Sequence, residues 1–240
     1  MLTYSELKRN RRKFLALTGL TPKEFLLLLP AFDHAYARRF SSTHTLGGTR
    51  RQRKRGGGRK TSLDSPEQRL LFVLVYLKTY PLQALLGEVF DLSQSRANRW
   101  IHQLIPVLRQ ALKNVGVRPA RNPRQFARHE RRTAEPLDLI IDGTDRRRQR
   151  PKKPETQTLY YSGRKKTHSD KNVVIANRKT KRISYLSQTY AGKTQDKKVV
   201  DQERIAYPRG ARLHQDTGFQ GYAPRGCEIY QPKKSRGRVN

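Results

Sequence analysis

Acidic residues are scarce in this chain: 19 Asp and Glu stand against 52 Lys and Arg, leaving a formal net charge of +33. A positive excess of that size repels itself unless a polyanion offsets it. Nucleic acid is the leading partner, and an acidic membrane surface is the rival. Long apolar runs are missing too: nothing approaches the ~20 residues of a membrane span, and the run from Leu70 to Leu77 has the length of a core helix. The first residues, MLTYSELKRNRRKFLALTG, lack the apolar block and small-residue cleavage site of a secretory signal. Cysteine occurs once, as Cys227, which excludes a disulfide framework and fits a reducing interior. There is no internal repeat, no phosphate-binding Walker loop and no Cys/His zinc spacing, and the six histidines read as scattered core or solvated residues. Aromatic residues make up only 8%, without an RNA-stacking motif, which sets RNA binding behind DNA binding.

What remains is a basic chain whose order changes along its length. Residues 1–40 read as a helical lead-in interrupted once, at GLT, where Thr21, Pro22 and Glu24 supply an N-cap, a first-turn proline and a capping-box partner. Residues 41–62 alternate Gly, Ser and Thr with Arg and Lys, a composition that buries little and reads as a flexible basic linker; Arg51, Arg53, Lys54 and Arg55 are its candidate phosphate contacts. Residues 63–117 turn helical: Leu70, Leu71, Val73, Leu74 and Leu77 form the broad apolar face of a central helix.

PLQALLGEVFDLSQSRANRWI then reads as helix, turn, helix. Asp91 tolerates the left-handed conformation, Leu92 plugs the core and Ser93 caps the second helix, whose Ser95, Arg96, Asn98 and Arg99 point outward. Such residues can reach bases or phosphates in a major groove, although a plain helical hairpin would carry the same turn.

After a second linker, 118–136, the period falls to two. In LDLIIDG, Leu137, Leu139 and Ile141 share one face while Asp138, Ile140 and Asp142 share the other. KNVVIANRKTKRISYLSQTY reads as two strands about a turn at 177–181, DKKVVDQERIAYP as a helix capped by Asp196, and ARLHQD as a strand ending in Asp216. The fold class is therefore α/β: helices, then a mixed sheet over 137–240. Asp142 admits two readings: a counter-ion for Arg146, Arg147 and Arg148, or a ligand for a divalent ion over a phosphate those arginines help to bind. Asp142 and Asp216, both at strand ends, suit the carboxylate pair that phosphoryl transfer with Mg²⁺ or Mn²⁺ requires, and Arg164, Lys165 and Lys166 in YYSGRKKTHSDK suit backbone contacts.

The series GGGRK, LVYLKTYPLQALLGEVFDLSQSRANRWI, IDGTDRRRQRP, YYSGRKKTHSDKNVVI, YLSQTYAGKTQDKKVVDQ and DTGFQGY resembles insertion-sequence transposases of the DDE superfamily, in their Harbinger-like branch, from about residue 20 onward. The resemblance implies a helix-turn-helix module followed by a ribonuclease-H-like domain that cuts transposon ends and joins them to target DNA with magnesium. It implies Asp142 as first ligand and Asp216 as second, with Asp196 the less favoured candidate for the second. It further implies double-stranded DNA as partner, a homodimer on DNA, no membrane, and a prokaryotic cytoplasmic, nucleoid-associated location. The family's third ligand, a glutamate on a later helix, has no counterpart before Asn240, since Glu228 in CEIYQP comes too early and reads as strand. The expectation is a C-terminally truncated transposase, or the first part of a split frame near Lys233 and Lys234, weak or inactive alone. The alternative is a non-catalytic DNA-binding regulator that occupies transposon ends.

Overall fold

The computed structural model describes residues 1–40, 44, 45, 47–50, 52, 61–129 and 137–232. The chain divides into two compact units, Met1–Val117 and Arg118–Asn240, each with its own apolar core. Among the described residues, no single helix is long and apolar enough to cross a membrane.

The first unit is helical: α1 (Tyr4–Leu7), α2 (Arg11–Thr18), α3 (Pro22–Arg39), α4 (Pro66–Thr79), α5 (Gln83–Phe90) and α6 (Gln94–Asn114). The lead-in breaks twice rather than once, because Asn10 accepts the Lys13 N–H and starts a new helix before Gly19 ends it in the left-handed region. At the second break the capping box forms as expected, with Thr21 and Glu24 satisfying each other's backbone N–H. Phe14, Phe25 and Phe32 are fully buried and join one core with Leu70, Leu71, Phe72 and Val73 of α4. The lead-in is thus part of the same body as α4 to α6. Leu77 departs from the expected apolar face and is 48% exposed, two residues beyond the buried run 70–75.

The turn between α5 and α6 follows the sequence reading. Asp91 takes φ 53° and ψ 53°, Leu92 is buried, and the Ser93 side chain accepts the Arg96 N–H. Gly87, which the sequence reading passed over, fixes how tightly the turn closes: a Cβ there would lie 2.4 Å from the Leu92 carbonyl oxygen.

The second unit is a seven-stranded sheet with helices. It comprises α7 (Pro123–His129), β1 (Asp138–Arg147), α8 (Pro154–Tyr160), β2 (Tyr161–Ser162), β3 (Thr167–Asn177), β4 (Ile183–Leu186), β5 (Tyr190–Ala191), α9 (Asp196–Glu203), β6 (Ala211–His214) and β7 (Cys227–Tyr230). Stretch 118–136 is therefore more than a linker, since it contains α7, whose Phe126 is fully buried against the Tyr185 and Tyr207 rings.

Strands β4, β3, β1, β6 and β7 lie side by side in that order, and β2 and β5 also pair with β3. β3 runs antiparallel to β1 and β4, whereas β6 is parallel to both β1 and β7. α9 lies between β5 and β6 in the chain and buries Val199 and Val200 in the core that takes Leu139, Ile141, Val173, Ile175 and Leu213. The alternation read from LDLIIDG holds, with Leu137, Leu139 and Ile141 buried and Asp138, Ile140 and Asp142 on the more open face.

Candidate active site

The parallel register of β1 and β6 decides where the two expected ligands fall. Ile140 is opposite His214, so continuing both chains by two residues brings Asp142 beside Asp216. Both line one open groove of about 950 Å³, together with Arg164, Arg178, His214 and Gln215.

Each aspartate is oriented by a nearby backbone donor. Asp142 Oδ1 accepts the Gly143 N–H at 2.7 Å, and Asp216, which caps the short 3₁₀ turn Thr217–Phe219, accepts the Gly218 N–H through Oδ1 at 2.9 Å. Neither Oδ2 has a hydrogen-bond partner among the described residues. Gln215 is buried: Nε2 donates to the Tyr222 carbonyl and Oε1 has no partner among the described residues, so the Asp142 and Asp216 Oδ2 atoms are the open oxygens at the groove. Hard oxygen donors of this kind suit Mg²⁺, which commonly takes one or two carboxylates and fills its remaining positions with water and substrate phosphate. The residues present therefore fit a divalent ion, although no group of three His, Cys, Asp or Glu suited to a metal occurs among the described residues.

Asp196 does not play the capping part expected of it. Gln195 is the N-cap of α9 and Asp196 the first helical residue, so its carboxylate does not cap the helix. Instead Oδ1 pairs with Lys171 Nζ at 2.9 Å, with both side chains nearly buried. That carboxylate sits against Gly143: a Cβ there would come within 2.5 Å of Asp196 Oδ1. A Cβ on Gly218 would lie 3.3 Å from Asp196 Oδ2. The glycine following Asp142 and the one following Thr217 thus leave room for one charged, ion-paired side chain. Sequence reading missed Lys171, which becomes visible only through the β1–β3 pairing that sets it opposite Asp145.

His214 was also passed over. Its Nε2 lies 2.7 Å from Asp138 Oδ1, its ring stacks on Tyr230 at 4.9 Å, and the bond to His214, with Arg178 nearby, holds the Asp138 carboxyl below its usual range. Glu228 lies on β7, 3.7 Å from Arg212, and does not line the groove.

The expected DNA contacts are spread over both units. Ser95, Arg96 and Arg99 are exposed in the first turns of α6, but Asn98 is half-buried and donates to Gln83 Oε1 across the turn. Arg146 bonds Asn172 Oδ1, Arg147 is exposed, and Arg148 pairs with Asp170 at 2.9 Å. Arg164, Lys165 and Lys166 form the exposed turn of the β2–β3 hairpin. Arg51, Arg53, Lys54 and Arg55 lie outside the described residues.

No curated protein and no solved structure matches this chain. Family models do: residues 61–114 match the helix-turn-helix of DDE superfamily endonuclease, and residues 141–237 match DDE superfamily endonuclease. The first match covers α4 to α6 with the Asp91 turn, and the second contains Asp142 and Asp216. With both parts in this order on one chain, this is a DDE-superfamily transposase-like protein.

Proposed function

We propose that the protein is an insertion-sequence transposase of the Harbinger-like branch that cleaves DNA at transposon ends and transfers the freed strand to a target, with Asp142 and Asp216 as ligands of Mg²⁺ or Mn²⁺. The observation that supports this is the shared groove: it is lined by two carboxylates, one on β1 and one just past the end of the parallel β6, each with an oxygen that has no hydrogen-bond partner among the described residues. The strand order, three antiparallel strands with two parallel ones added beyond β1 after a helical crossover, supports a ribonuclease-H-like reading of the second unit.

In this reading Asp142 and Asp216 would hold a divalent ion, while the Gly143 and Gly218 N–H groups orient their carboxylates through Oδ1. When bound, the divalent ion lowers the pKa of the attacking water and neutralises charge on the phosphate. Arg164 and Arg178, at the groove, attract the DNA backbone and offset the charge that builds on the phosphate oxygens. Lys165, Lys166, Arg146, Arg147 and Arg148 extend the positive surface along the duplex, and Ser95, Arg96, Asn98 and Arg99 place α6 on the transposon end. A pair of copies brings two ends together in the cytoplasm of a prokaryotic cell.

The test is cleavage of a labelled terminal-repeat duplex with Mg²⁺ or Mn²⁺. Nicking that disappears in both Asp142→Ala and Asp216→Ala, with duplex binding retained, supports the proposal. Binding without nicking in the unaltered chain would leave a regulator in place of an enzyme.

A further inference from the structure

A second cleft in the sheet unit is separate from the aspartate groove. It has a volume of about 640 Å³ and is lined by Arg150, Gln157, Tyr161, Gly163, His168 and Lys193. Among the described residues, no carboxylate lines it and neither Arg150 nor Lys193 enters an ion pair. The walls are fixed by local structure. Gln157 Oε1 accepts from both Nε and Nη2 of Arg150, at 3.1 and 2.9 Å, while its own Nε2 donates to the Pro151 carbonyl at 2.9 Å. That arrangement holds a guanidinium at the rim without neutralising it.

Opposite, the Lys193 N–H donates to the Leu159 carbonyl, and Gly192 packs so closely that a Cβ would lie 2.7 Å from the Tyr160 carbonyl oxygen. The aromatic component is equally placed. Tyr161 is 43% exposed and meets the His168 ring edge-on at 5.6 Å, with Arg148 over the neighbouring Tyr160 ring at 3.8 Å.

A cleft with two cations that enter no ion pair among the described residues, and with a partly exposed ring, matches one ligand chemistry, a phosphate joined to a flat aromatic base. Bases inside a duplex do not offer such a face; one that is unpaired or swung out does. The cleft is also next to the reaction groove, because consecutive residues of the β2–β3 turn serve the two: Gly163 lines the cleft and Arg164 lines the aspartate groove.

We propose that this cleft holds one unpaired nucleotide of the DNA substrate, its base against Tyr161 and its phosphate between Arg150 and Lys193. The proposal rests on the DNA-processing reading above. It assigns the chain a preference for DNA that carries an unpaired nucleotide beside the duplex.

The experiment measures binding of the full chain, by fluorescence anisotropy, to three probes: a blunt duplex, the same duplex with a one-nucleotide flap bearing 2-aminopurine, and the flap with an abasic residue. The expected result is a preference for the 2-aminopurine flap over the other two, with a change in 2-aminopurine emission. Tyr161→Ala should remove most of that preference, a loss of roughly tenfold in flap affinity. It should leave blunt-duplex affinity unchanged, and Tyr161→Phe should restore the preference because the ring suffices. Arg150→Ala with Lys193→Ala should weaken both flaps equally. Equal affinity for blunt and 2-aminopurine flap probes overturns the cleft assignment and leaves the DNA reading standing, as does a preference unchanged in Tyr161→Ala. Failure to bind any probe overturns the DNA reading and the cleft with it.

Discussion

Replacing Gly143 by alanine introduces a single methyl group into a space that Asp196 already fills. The new Cβ would lie 2.5 Å from Oδ1, 2.6 Å from Cγ and 2.9 Å from Oδ2, so the carboxylate has to move by about 1 Å to reach ordinary contact. That carboxylate is the partner of Lys171 at 2.9 Å, with the two side chains 12% and 11% exposed, so it cannot give way without stretching a nearly buried ion pair. Overpacking alone costs ~1–3 kcal/mol, and disturbing the pair adds to it. We expect a loss of about 2–4 kcal/mol in the second unit. Gly143 has no positive φ, so the loss is steric and not conformational.

Urea unfolding followed by far-UV circular dichroism reads this loss. With a slope of ~1–3 kcal/mol per molar, the midpoint of the sheet unit falls by roughly 1–2 M. Indole fluorescence from Trp100, the single tryptophan, reports the helical unit and should not move. The decisive comparison is a double-mutant cycle: in an Asp196→Ala background the obstacle is gone, and Gly143→Ala should become neutral or stabilising by up to ~1 kcal/mol through the unfolded chain. Equal costs in both backgrounds would refute the reasoning.

Three further outcomes follow from the same geometry. Ser93→Ala removes the acceptor for the Arg96 N–H and should destabilise the helical unit by about 1 kcal/mol, read from Trp100 fluorescence, which lies on the helix that Ser93 starts. Arg96→Ala and Arg99→Ala, both exposed on that helix, should each lower the salt slope of duplex binding by about 1, measured by titration at several ionic strengths. At alkaline pH, burial raises the phenols of Tyr185 and Tyr190, both bonded to Glu203, and pushes Tyr222 up to about 12. Because these folded-state values exceed the ordinary ~10, their contribution is complete below pH ~10 and is lost as the pH rises toward the folded values; base titration should unfold the sheet unit over that range, and an unchanged urea midpoint between pH 9 and 11.5 would contradict it.

Much of this was legible in the sequence where local chemistry decides structure. Thr21 with Glu24, Asp91 before Ser93, and the alternation around Asp142 each carry their signal within a few residues. Strand patterning picked out Asp142 and Asp216 as strand-end carboxylates, and the resemblance supplied their order as first and second ligand. What escaped depends on pairing at long range. Lys171 meets Asp196 only because β3 runs beside β1, and α9 begins one residue earlier than a capping aspartate requires. The cleft at Tyr161 needed the β2–β3 hairpin, and that segment had been read as basic contacts without a fold. Phe126 escaped because charged residues and prolines surround it, a composition that reads as linker, although its ring is fully buried in the sheet unit's core.

The proposed site requires Asp142 and Asp216 to share one divalent ion. Replacing that ion by Fe²⁺ and generating hydroxyl radicals with ascorbate and peroxide cuts the polypeptide next to wherever the iron sits, so the fragments report the ligands without relying on activity. Paired scission is expected near 142 and near 216 in the same preparation, suppressed by excess Mg²⁺ and lost in Asp142→Asn with Asp216→Asn. Cuts confined to one of these positions, or clustered elsewhere in the chain, would contradict it.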